Sequence, residues 1–279
     1  PYFGLRKYSK CDELEIGQEA SYIDYVDNIV ECFSLIKEKL RDDGLLWLNI
    51  GDCYKGKNLL GIPWRIALSM QDDGWILRSD IIWHKPNAMP SSVKDRPTLD
   101  HEYIVLFSKK EKYYYDADAI REPHVTFTDE SRMRGGRNHF GKINGTPEHG
   151  KNNGNPNLHD GRWNQAFHPK GRNKRTVWKI PLGKFREAHF AVYPEKLVEF
   201  CLLASTKPGD VVLDPFCGSG TTGVVSLKHN RGFIGVELVS KYKKMAEKRI
   251  INSLGQQKRQ LVFDLGQHDV VAFSDLNSL

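Results

Sequence analysis

The sequence lacks long hydrophobic runs and is poor in cysteine. No apolar stretch within the 279 residues approaches the roughly 18 needed to span a bilayer, so we expect no membrane insertion. The five cysteines form no C-x-x-C pair, which argues against a disulfide framework or a zinc knuckle and favours a reducing, cytoplasmic location. The opening residues PYFGLRKYSK carry no apolar stretch behind their basic residues, so they do not resemble a secretory signal.

Most of the chain also lacks an excess of charge of one sign. Lys and Arg outnumber Asp and Glu by 41 to 35, and residues 121–175 alone hold eleven basic against five acidic residues, which equals the whole surplus. This segment contains eight Gly and eight Asn, and it shows no helical or strand periodicity. We interpret it as a loop-rich insertion that binds a polyanion, with a disordered basic linker as the alternative.

Hydrophobic periodicity elsewhere predicts alternating helices and strands. The predicted helices span 18–41, 60–72, 194–204, the residues up to about 229 and 240–252. The predicted strands span 45–50, 76–83, 102–107, 211–214, 232–237 and 261–264. Such alternation implies parallel strands covered by helices, an α/β fold. We therefore expect a first half over 1–120, the insertion over 121–175 and a second half over 176–279.

The sharpest motif is VVLDPFCGSGTTG at 211–223, which joins a predicted strand to a predicted helix. Gly218, Gly220 and Gly223 fit the spacing G-x-G-x-x-G, and Glu237 ends the next predicted strand, where a carboxylate can accept hydrogen bonds from ribose hydroxyls. This combination predicts a nucleotide-binding turn, and a tight turn without a ligand is the alternative.

Two observations narrow the choice of nucleotide ligand. Only 42 residues follow Glu237, too few for the further strands of a nicotinamide-binding fold, and no Lys follows the glycines as it does in a phosphate-binding loop. Asp214 and Phe216 add a carboxylate and an aromatic ring, which suit an adenosyl-sulfonium ligand.

Several segments resemble the S-adenosylmethionine-dependent amino-methyltransferases that act on DNA bases, in the permuted order that places the catalytic motif before the cofactor motif. The similar segments are DPFCGSGTT (214–222), GVE (235–237), HFAVYPEKLVEFCLLAS (189–205), SDIIWHKPNAMPSSVKDRP (79–97) and HEYIVLFSKK (101–110). The resemblance implies a Rossmann-like methyltransferase sheet with helices on both faces and S-adenosylmethionine as the cofactor. The cofactor-binding residues that it implies are Asp214, Phe216, Gly218, Ser219, Gly220, Thr221, Glu237 and Phe190.

The family's catalytic motif is a polar residue, two prolines and an aromatic residue, and Pro1 and Tyr2 match its second half. In the family the polar side chain and a proline carbonyl accept the N–H bonds of the exocyclic amine, while the aromatic ring stacks on the base. The resemblance therefore makes Pro1 and Tyr2 the catalytic candidates. Because the polar residue and the first proline are not in the printed sequence, we expect a fragment that begins inside this loop and lacks the main acceptor.

A target amine lies inside the duplex stack, so the base has to be flipped into a pocket whose surroundings bind phosphates and base edges. The DNA-binding candidates are Lys85, Asn87, Arg96, Arg132, Arg134, Arg137 and Arg172, and the last four lie in the expected target-recognition insertion. His84 is a pocket candidate beside Lys85, Asn87 and Arg96, and a solvated loop is the alternative for all four. Asp52 is a further candidate, with a turn residue as its alternative. We expect Trp47 and Trp83 in the core, His189 and Phe190 near the cofactor or in the core, and no metal site.

These observations favour a site-specific methyltransferase acting on double-stranded DNA, with cytosine N4 preferred over adenine N6 because PYFGLRKY resembles the Ser-Pro-Pro-Tyr subset. A nonenzymatic DNA-binding remnant of a methylase and a nicotinamide-dependent oxidoreductase are the alternatives. A cognate restriction endonuclease is a candidate partner. The recognition sequence and the oligomeric state stay open.

Overall fold

The computed structural model describes residues 1–5, 7, 15–123, 170–183 and 192–253, and the backbone of 262–263 and 270–273. Its α-helices are α1 (Tyr22–Lys39), α2 (Ile62–Asp72), α3 (Glu195–Ser205), α4 (Thr221–Lys228) and α5 (Ser240–Ser253). Its strands are β1 (Leu45–Ile50), β2 (Tyr54–Lys55), β3 (Asn58–Leu59), β4 (Ile76–His84), β5 (His101–Ser108), β6 (Val177–Lys179), β7 (Val211–Asp214), β8 (Gly232–Val236), β9 (Val262–Phe263) and β10 (Val270–Phe273). The predicted helices and the long strands are thereby confirmed to within a few residues.

Side-chain caps begin the first two helices. The Ser21 hydroxyl accepts the Ile23 backbone N–H (3.1 Å) at the start of α1. The Asp52 carboxylate accepts the backbone N–H groups of Gly61 (3.1 Å) and Ile62 (3.0 Å) at the start of α2. Asp52 therefore caps α2 and holds the turn before it, which agrees with the turn residue that the sequence analysis gave as the alternative to a pocket residue.

The first four-stranded sheet has the order β1-β5-β4-β6, and β5 runs antiparallel to both of its neighbours. The prediction of parallel strands is wrong for β5. Helix α2 links β1 to β4, so these two strands run parallel to each other. The chain between β4 and β5 contains no helix to serve as a crossover, and β5 returns antiparallel between them.

Both faces of this sheet are covered. Val105 and Phe107 belong to a core cluster with residues of α1 and α2, whereas Ile104 and Leu106 pack with Leu197 of α3 on the other face. Neighbouring residues of β5 thus enter different cores, as the alternation of side chains along a strand requires. Trp83 is buried in the second cluster and Trp47 packs against it, so both are core residues as predicted.

The second four-stranded sheet has the order β7-β8-β10-β9. Strands β7 and β8 are parallel and are joined through α4, which confirms the strand–turn–helix–strand unit predicted from the glycine motif. Strand β10 is antiparallel to β8 and to β9. It was not predicted because its four residues are a very short apolar run.

Residues Ala117–Arg175 form a separate compact unit. Its described parts are a 3-10 helix at Asp118–Ile120 and a backbone bridge between Glu122 and Arg172 (3.0 and 2.9 Å). The Glu122 carboxylate also pairs with Arg172 (3.0 Å) and with Arg175 (3.2 Å).

Candidate active site

The glycine turn between β7 and α4 combines close packing with an open side. Gly218 and Gly220 have φ values of +53° and +79°, which glycine adopts without strain. A Cβ on Gly220 would lie 2.8 Å from the Ala246 Cβ, and one on Gly223 would lie 2.6 Å from Ile250 Cδ1, so these two glycines let α4 approach α5. At Gly218 the only described atom within 4 Å of such a Cβ is the Phe216 carbonyl oxygen at 3.9 Å. The open side of the turn therefore lies at Gly218.

Asp214 is held at the end of β7 by three donors. Its Oδ2 accepts hydrogen bonds from the hydroxyls of Tyr193 (3.0 Å) and Thr222 (2.5 Å), and its Oδ1 accepts the Phe216 N–H (3.0 Å). Burial raises the pKa of Tyr193 well above its ordinary value, and the Asp214 charge adds to the effect, so the phenol stays a donor. The carboxylate is thus fixed at the carboxyl end of a parallel strand, where α/β sheets bind ligands.

Glu237 follows β8 and reaches the same turn. Its two carboxylate oxygens accept the backbone N–H groups of Gly218 and Val239, each at 2.8 Å. These bonds orient the carboxylate beside Gly218.

Arg249 of α5 holds the middle of the turn. Its Nη1 donates to the Ser219 carbonyl (2.6 Å), to the Ser219 hydroxyl (2.8 Å) and to Thr221 Oγ1 (3.2 Å). Ser219 and Thr221, both predicted cofactor residues, are therefore bonded to a helix that the sequence interpretation had not linked to the site.

The Pro1–Tyr2 segment lies against α1. The Tyr25 hydroxyl donates to the Pro1 carbonyl (2.8 Å), and Gly4 N–H donates to the Gly17 carbonyl (2.9 Å). Gly17 has a φ of +109°, and a Cβ there would lie 2.5 Å from the Tyr2 carbonyl oxygen, so only glycine fits. The backbone of the loop is thereby held in place.

The Tyr2 side chain reaches the first sheet. Its hydroxyl donates to Glu102 Oε2 (3.0 Å), which also accepts the Asn49 side-chain amide (2.8 Å). Lys85 Nζ donates to the other oxygen of Glu102. A Cβ on Gly51, the residue after β1, would lie 3.2 Å from Tyr2 Cε1, so the ring packs closely against the strand end.

The structure brings the predicted catalytic loop close to the predicted cofactor turn. Tyr2 and Phe3 of the loop pack against the core cluster that contains Tyr25 and Phe33 of α1. Phe216 also packs against this cluster, where Phe216 and Phe33 have ring centroids 6.2 Å apart. Segments more than 200 residues apart in the sequence therefore line one site.

The predicted DNA-binding residues near β4 have partners within the chain. The Asn87 side-chain amide donates to the Leu182 carbonyl (3.1 Å) and accepts its N–H (2.8 Å). The Arg96 guanidinium lies 4.0 Å from the ring centroid of Tyr54. His84 Nε2 lies 3.4 Å from Asp100 Oδ2.

Two of the remaining predicted site residues have described partners, and five lie outside the described residues. Lys85 pairs with Glu102 inside the protein, and Arg172 pairs with Glu122 in the Ala117–Arg175 unit. Arg132, Arg134, Arg137, His189 and Phe190 lie outside the described residues.

The residues around the turn fit S-adenosylmethionine. The open side at Gly218 leaves room for a ligand beside the backbone, and two oriented carboxylates suit ribose hydroxyls and a positively charged sulfonium. Phe216 supplies an aromatic surface next to them. In the described part of the chain, no group of three or more His, Cys, Asp or Glu side chains could hold a metal ion, and no described helix is long and apolar enough to cross a membrane.

The sequence interpretation missed several residues of this site. They are Asn49, Glu102, Tyr193, Thr222 and Arg249. The one available signal was Glu102, the charged first residue of the predicted strand EYIVLF (102–107).

Comparison with known proteins agrees with this geometry. The sequence profile of the DNA methylase family, which covers N6 and N4 methyltransferases, matches residues 1–248. The chain is 41% identical over 279 residues to the Type II methyltransferase M.Cfr9I of Citrobacter freundii, over 90% of this chain and 78% of that protein. It is 38% identical over 282 residues to the Type II methyltransferase M.SmaI of Serratia marcescens, over 90% of this chain and 82% of that protein.

Two solved structures share the fold. The PvuII DNA methyltransferase (cytosine-N4-specific) superposes with a TM-score of 0.62 at 21% identity, over 93% of this chain and 80% of that one. The complex of M1.HpyAVI with S-adenosylmethionine superposes with a TM-score of 0.52 at 22% identity, over 81% of this chain and 84% of that one. They confirm the predicted methyltransferase fold.

Proposed function

The chain belongs to the DNA methylase family of S-adenosylmethionine-dependent amino-methyltransferases, and from that premise we propose that it methylates the N4 amine of cytosine in double-stranded DNA. It is a DNA methyltransferase of the N4/N6 class, and S-adenosylmethionine is its cofactor. The preference for cytosine is supported by the likeness of PYFGLRKY to the Ser-Pro-Pro-Tyr subset and by the cytosine-N4 specificity of the PvuII enzyme. Membership of this family excludes the alternative of a nicotinamide-dependent oxidoreductase that the sequence analysis considered.

The cofactor site that we propose uses the two carboxylates at the ends of β7 and β8. S-adenosylmethionine, when bound, supplies an electrophilic methyl group. Glu237 would bind the ribose hydroxyls, Asp214 would complement the charge of the sulfonium, and Phe216 would offer its ring to the adenosyl group. Gly218 would allow the backbone to approach the ligand, because within the described residues no side chain lies within 4 Å of the position that a Cβ would take. Ser219, Gly220 and Thr221 shape the turn, and Phe190 is a further candidate outside the described residues.

Catalysis in this proposal depends on the Pro1–Tyr2 loop. The lone pair of an exocyclic amine is delocalised into the base, so acceptors for its N–H bonds are needed to make the nitrogen nucleophilic. Tyr2 stacks on the flipped base and aligns the amine with the methyl group, and the bond from Tyr25 to the Pro1 carbonyl keeps the loop in position.

The observation that carries the proposal is the closeness of the two segments. Tyr2 of the loop and Phe216 of the turn after β7 pack against the same core cluster, in which Phe216 lies 6.2 Å from Phe33 between ring centroids. A base stacked on Tyr2 would therefore lie near the cofactor carboxylates.

DNA binding is proposed for basic residues in two regions. Arg132, Arg134, Arg137 and Arg172 of the 121–175 segment would contact phosphates or base edges, and Arg96 lies in the 85–100 connection that follows β4. Lys85 and Asn87 use their polar groups in bonds within the chain, so a direct contact of either with DNA would require exchange of these bonds.

We also propose a role in restriction and modification, with a cognate restriction endonuclease as partner. The Type II names of M.Cfr9I and M.SmaI support this role.

The base assignment is tested by nucleoside analysis. The protein, expressed from its complete coding sequence, is incubated with methyl-labelled S-adenosylmethionine and unmethylated plasmid DNA, and the digested DNA is separated by liquid chromatography with mass detection. Labelled N4-methylcytosine is the expected product. Labelled N6-methyladenine alone would overturn the choice of base, and no labelled nucleoside would favour the nonenzymatic remnant.

A further inference from the structure

One carboxylate ties the Tyr2 hydroxyl to the first sheet. Glu102 lies at the start of the central strand β5 and accepts bonds from Tyr2, from Asn49 of β1 and from Lys85, the residue after β4. A carboxylate can only accept, so donors approaching from three directions fix its orientation. The Asn49 amide is oriented by the same argument, because its nitrogen rather than its oxygen has to face Glu102.

The network is anchored in the protein interior. The side chains of Lys85 and Glu102 are only 15% and 13% exposed. Lys85 Nζ lies 4.6 Å from the ring centroid of Trp83. The indole N–H of Trp83 donates to the backbone carbonyl oxygen of the buried residue Ile180 (2.8 Å). Bonds between charged partners are about twice as strong as neutral ones, so Glu102 offers the Tyr2 hydroxyl a stiff support.

The edge of the Tyr2 ring is restrained as well. The absent side chain of Gly51 leaves the ring close to the end of β1, because a Cβ there would lie 3.2 Å from Tyr2 Cε1 and 3.4 Å from Glu102 Cγ. The ring is thus held at its hydroxyl by Glu102 and along its edge by the strand end.

We propose that Glu102 is a positioning residue that, with Lys85 as its counter-ion and Asn49 as a second donor, fixes the ring plane on which the target base stacks. This inference rests on the proposed function, in which Tyr2 is the stacking residue. A misplacement of about 1 Å can slow a reaction about 100-fold, so a loosened ring slows methyl transfer even when the ring is still present. Cofactor binding does not involve the Tyr2 hydroxyl and stays unchanged.

A double-mutant cycle tests this role. Tyr2→Phe, Glu102→Gln and the double variant are compared with the wild type, each expressed from the complete coding sequence. The rate of a single turnover is measured with enzyme in excess over unmethylated plasmid DNA and with labelled S-adenosylmethionine. We expect Tyr2→Phe, which keeps the ring but loses the bond to Glu102 and the longer bond from Asn49 Nδ2 (3.4 Å), to slow transfer by about 10- to 150-fold. Its Kd for the cofactor should stay within about twofold of the wild type.

The double-mutant cycle distinguishes a positioning role of Glu102 from a nonspecific disruption of the structure. If Glu102 acts through the Tyr2 hydroxyl, the double variant is no slower than the slower single variant, because one interaction cannot be lost twice. Tyr113→Phe is the matched control, since it loses a hydroxyl that accepts from Arg78 Nε (2.8 Å) near the start of β4, the end of the strand remote from Lys85. A wild-type rate for Tyr2→Phe, or rate losses that multiply in the double variant, would overturn the inference.

Tyr2→Ala distinguishes this inference from the function on which it rests. A wild-type rate for Tyr2→Ala would mean that Tyr2 is not the stacking residue, and the proposed catalytic loop would fail. A slow Tyr2→Ala beside a normal Tyr2→Phe would refute only the role of Glu102. These two variants and the Tyr113→Phe control decide the matter even if Glu102→Gln fails to fold.

Discussion

Replacing Glu237 with Ala removes one carboxylate from the proposed cofactor site. The side chain accepts the Gly218 and Val239 N–H groups at 2.8 Å each, so the variant loses both the ribose contacts that we propose and two bonds that shape the turn. A hydrogen bond to a charged group contributes about 1.5 to 3 kcal/mol, and about 1.4 kcal/mol corresponds to a tenfold change in affinity. The Kd for S-adenosylmethionine should therefore rise about 10- to 150-fold.

Isothermal titration calorimetry measures this change directly. Glu195→Ala is the matched control, because Glu195 pairs with Lys228 (2.6 Å) on the surface and both side chains are 47% exposed. It removes the same charge and should leave the Kd within about twofold of the wild type. Glu237→Gln should fall between the two, because an amide keeps one acceptor oxygen and presents an N–H₂ group to the other backbone donor.

An unchanged Kd for the folded Glu237→Ala protein would refute this placement of the cofactor. Thermal unfolding of each variant shows whether it is folded. A loss of affinity shared equally by Glu195→Ala would point to net charge rather than to a specific contact.

Three further predictions concern the ion pair, the buried phenol and the basic segment. Lys85→Met should leave Glu102 buried without a counter-charge and lower the free energy of unfolding by about 3 to 5 kcal/mol. Urea unfolding measures this free energy. A variant that instead lost DNA affinity at unchanged stability would show that Lys85 binds DNA. Burial raises the pKa of Tyr193, so its contribution to stability is complete below the unfolded value of about 10 and is lost as the pH rises through the folded value. Above about pH 10 the free energy of unfolding should thus fall more steeply with pH for the wild type than for Tyr193→Phe, and the two slopes should differ by about 1.4 kcal/mol per pH unit. Equal slopes in urea unfolding measured at several pH values would contradict the raised pKa of Tyr193. If the 121–175 segment binds phosphates, Arg134→Ala should flatten the log–log dependence of DNA affinity on salt by up to about 0.9, whereas an affinity independent of salt in fluorescence anisotropy would favour a linker.

Local patterns were sufficient to predict the helices, the long strands and the glycine turn after β7. The apolar stripe of α1 and the strand–turn–helix pattern at 211–223 involve residues close in sequence, and both reflect backbone geometry that a few side chains determine. The antiparallel direction of β5 could not be predicted in this way, because it depends on the course of the 85–100 connection rather than on the strand's own residues.

The supporting residues of the site escaped prediction for a related reason. Tyr2 and Glu102 are 100 residues apart, and Asn49 and Glu102 are 53 apart. Neither spacing forms a periodic pattern, and the same residue types at a strand end are equally compatible with exposure to solvent. Only the pairing of β1 and β4 with β5 brings these donors to one carboxylate.

The central claim is that the Pro1–Tyr2 loop and the turn after β7 form one methyltransferase site. Its most direct test is the single-turnover rate of methyl transfer to DNA by Tyr2→Ala, with the cofactor Kd of the same protein measured by calorimetry. Stacking contributes roughly 1 to 3 kcal/mol per base, so transfer should slow about 5- to 150-fold while the Kd stays unchanged. Transfer at the wild-type rate, or a loss explained entirely by weaker cofactor binding, would contradict the account.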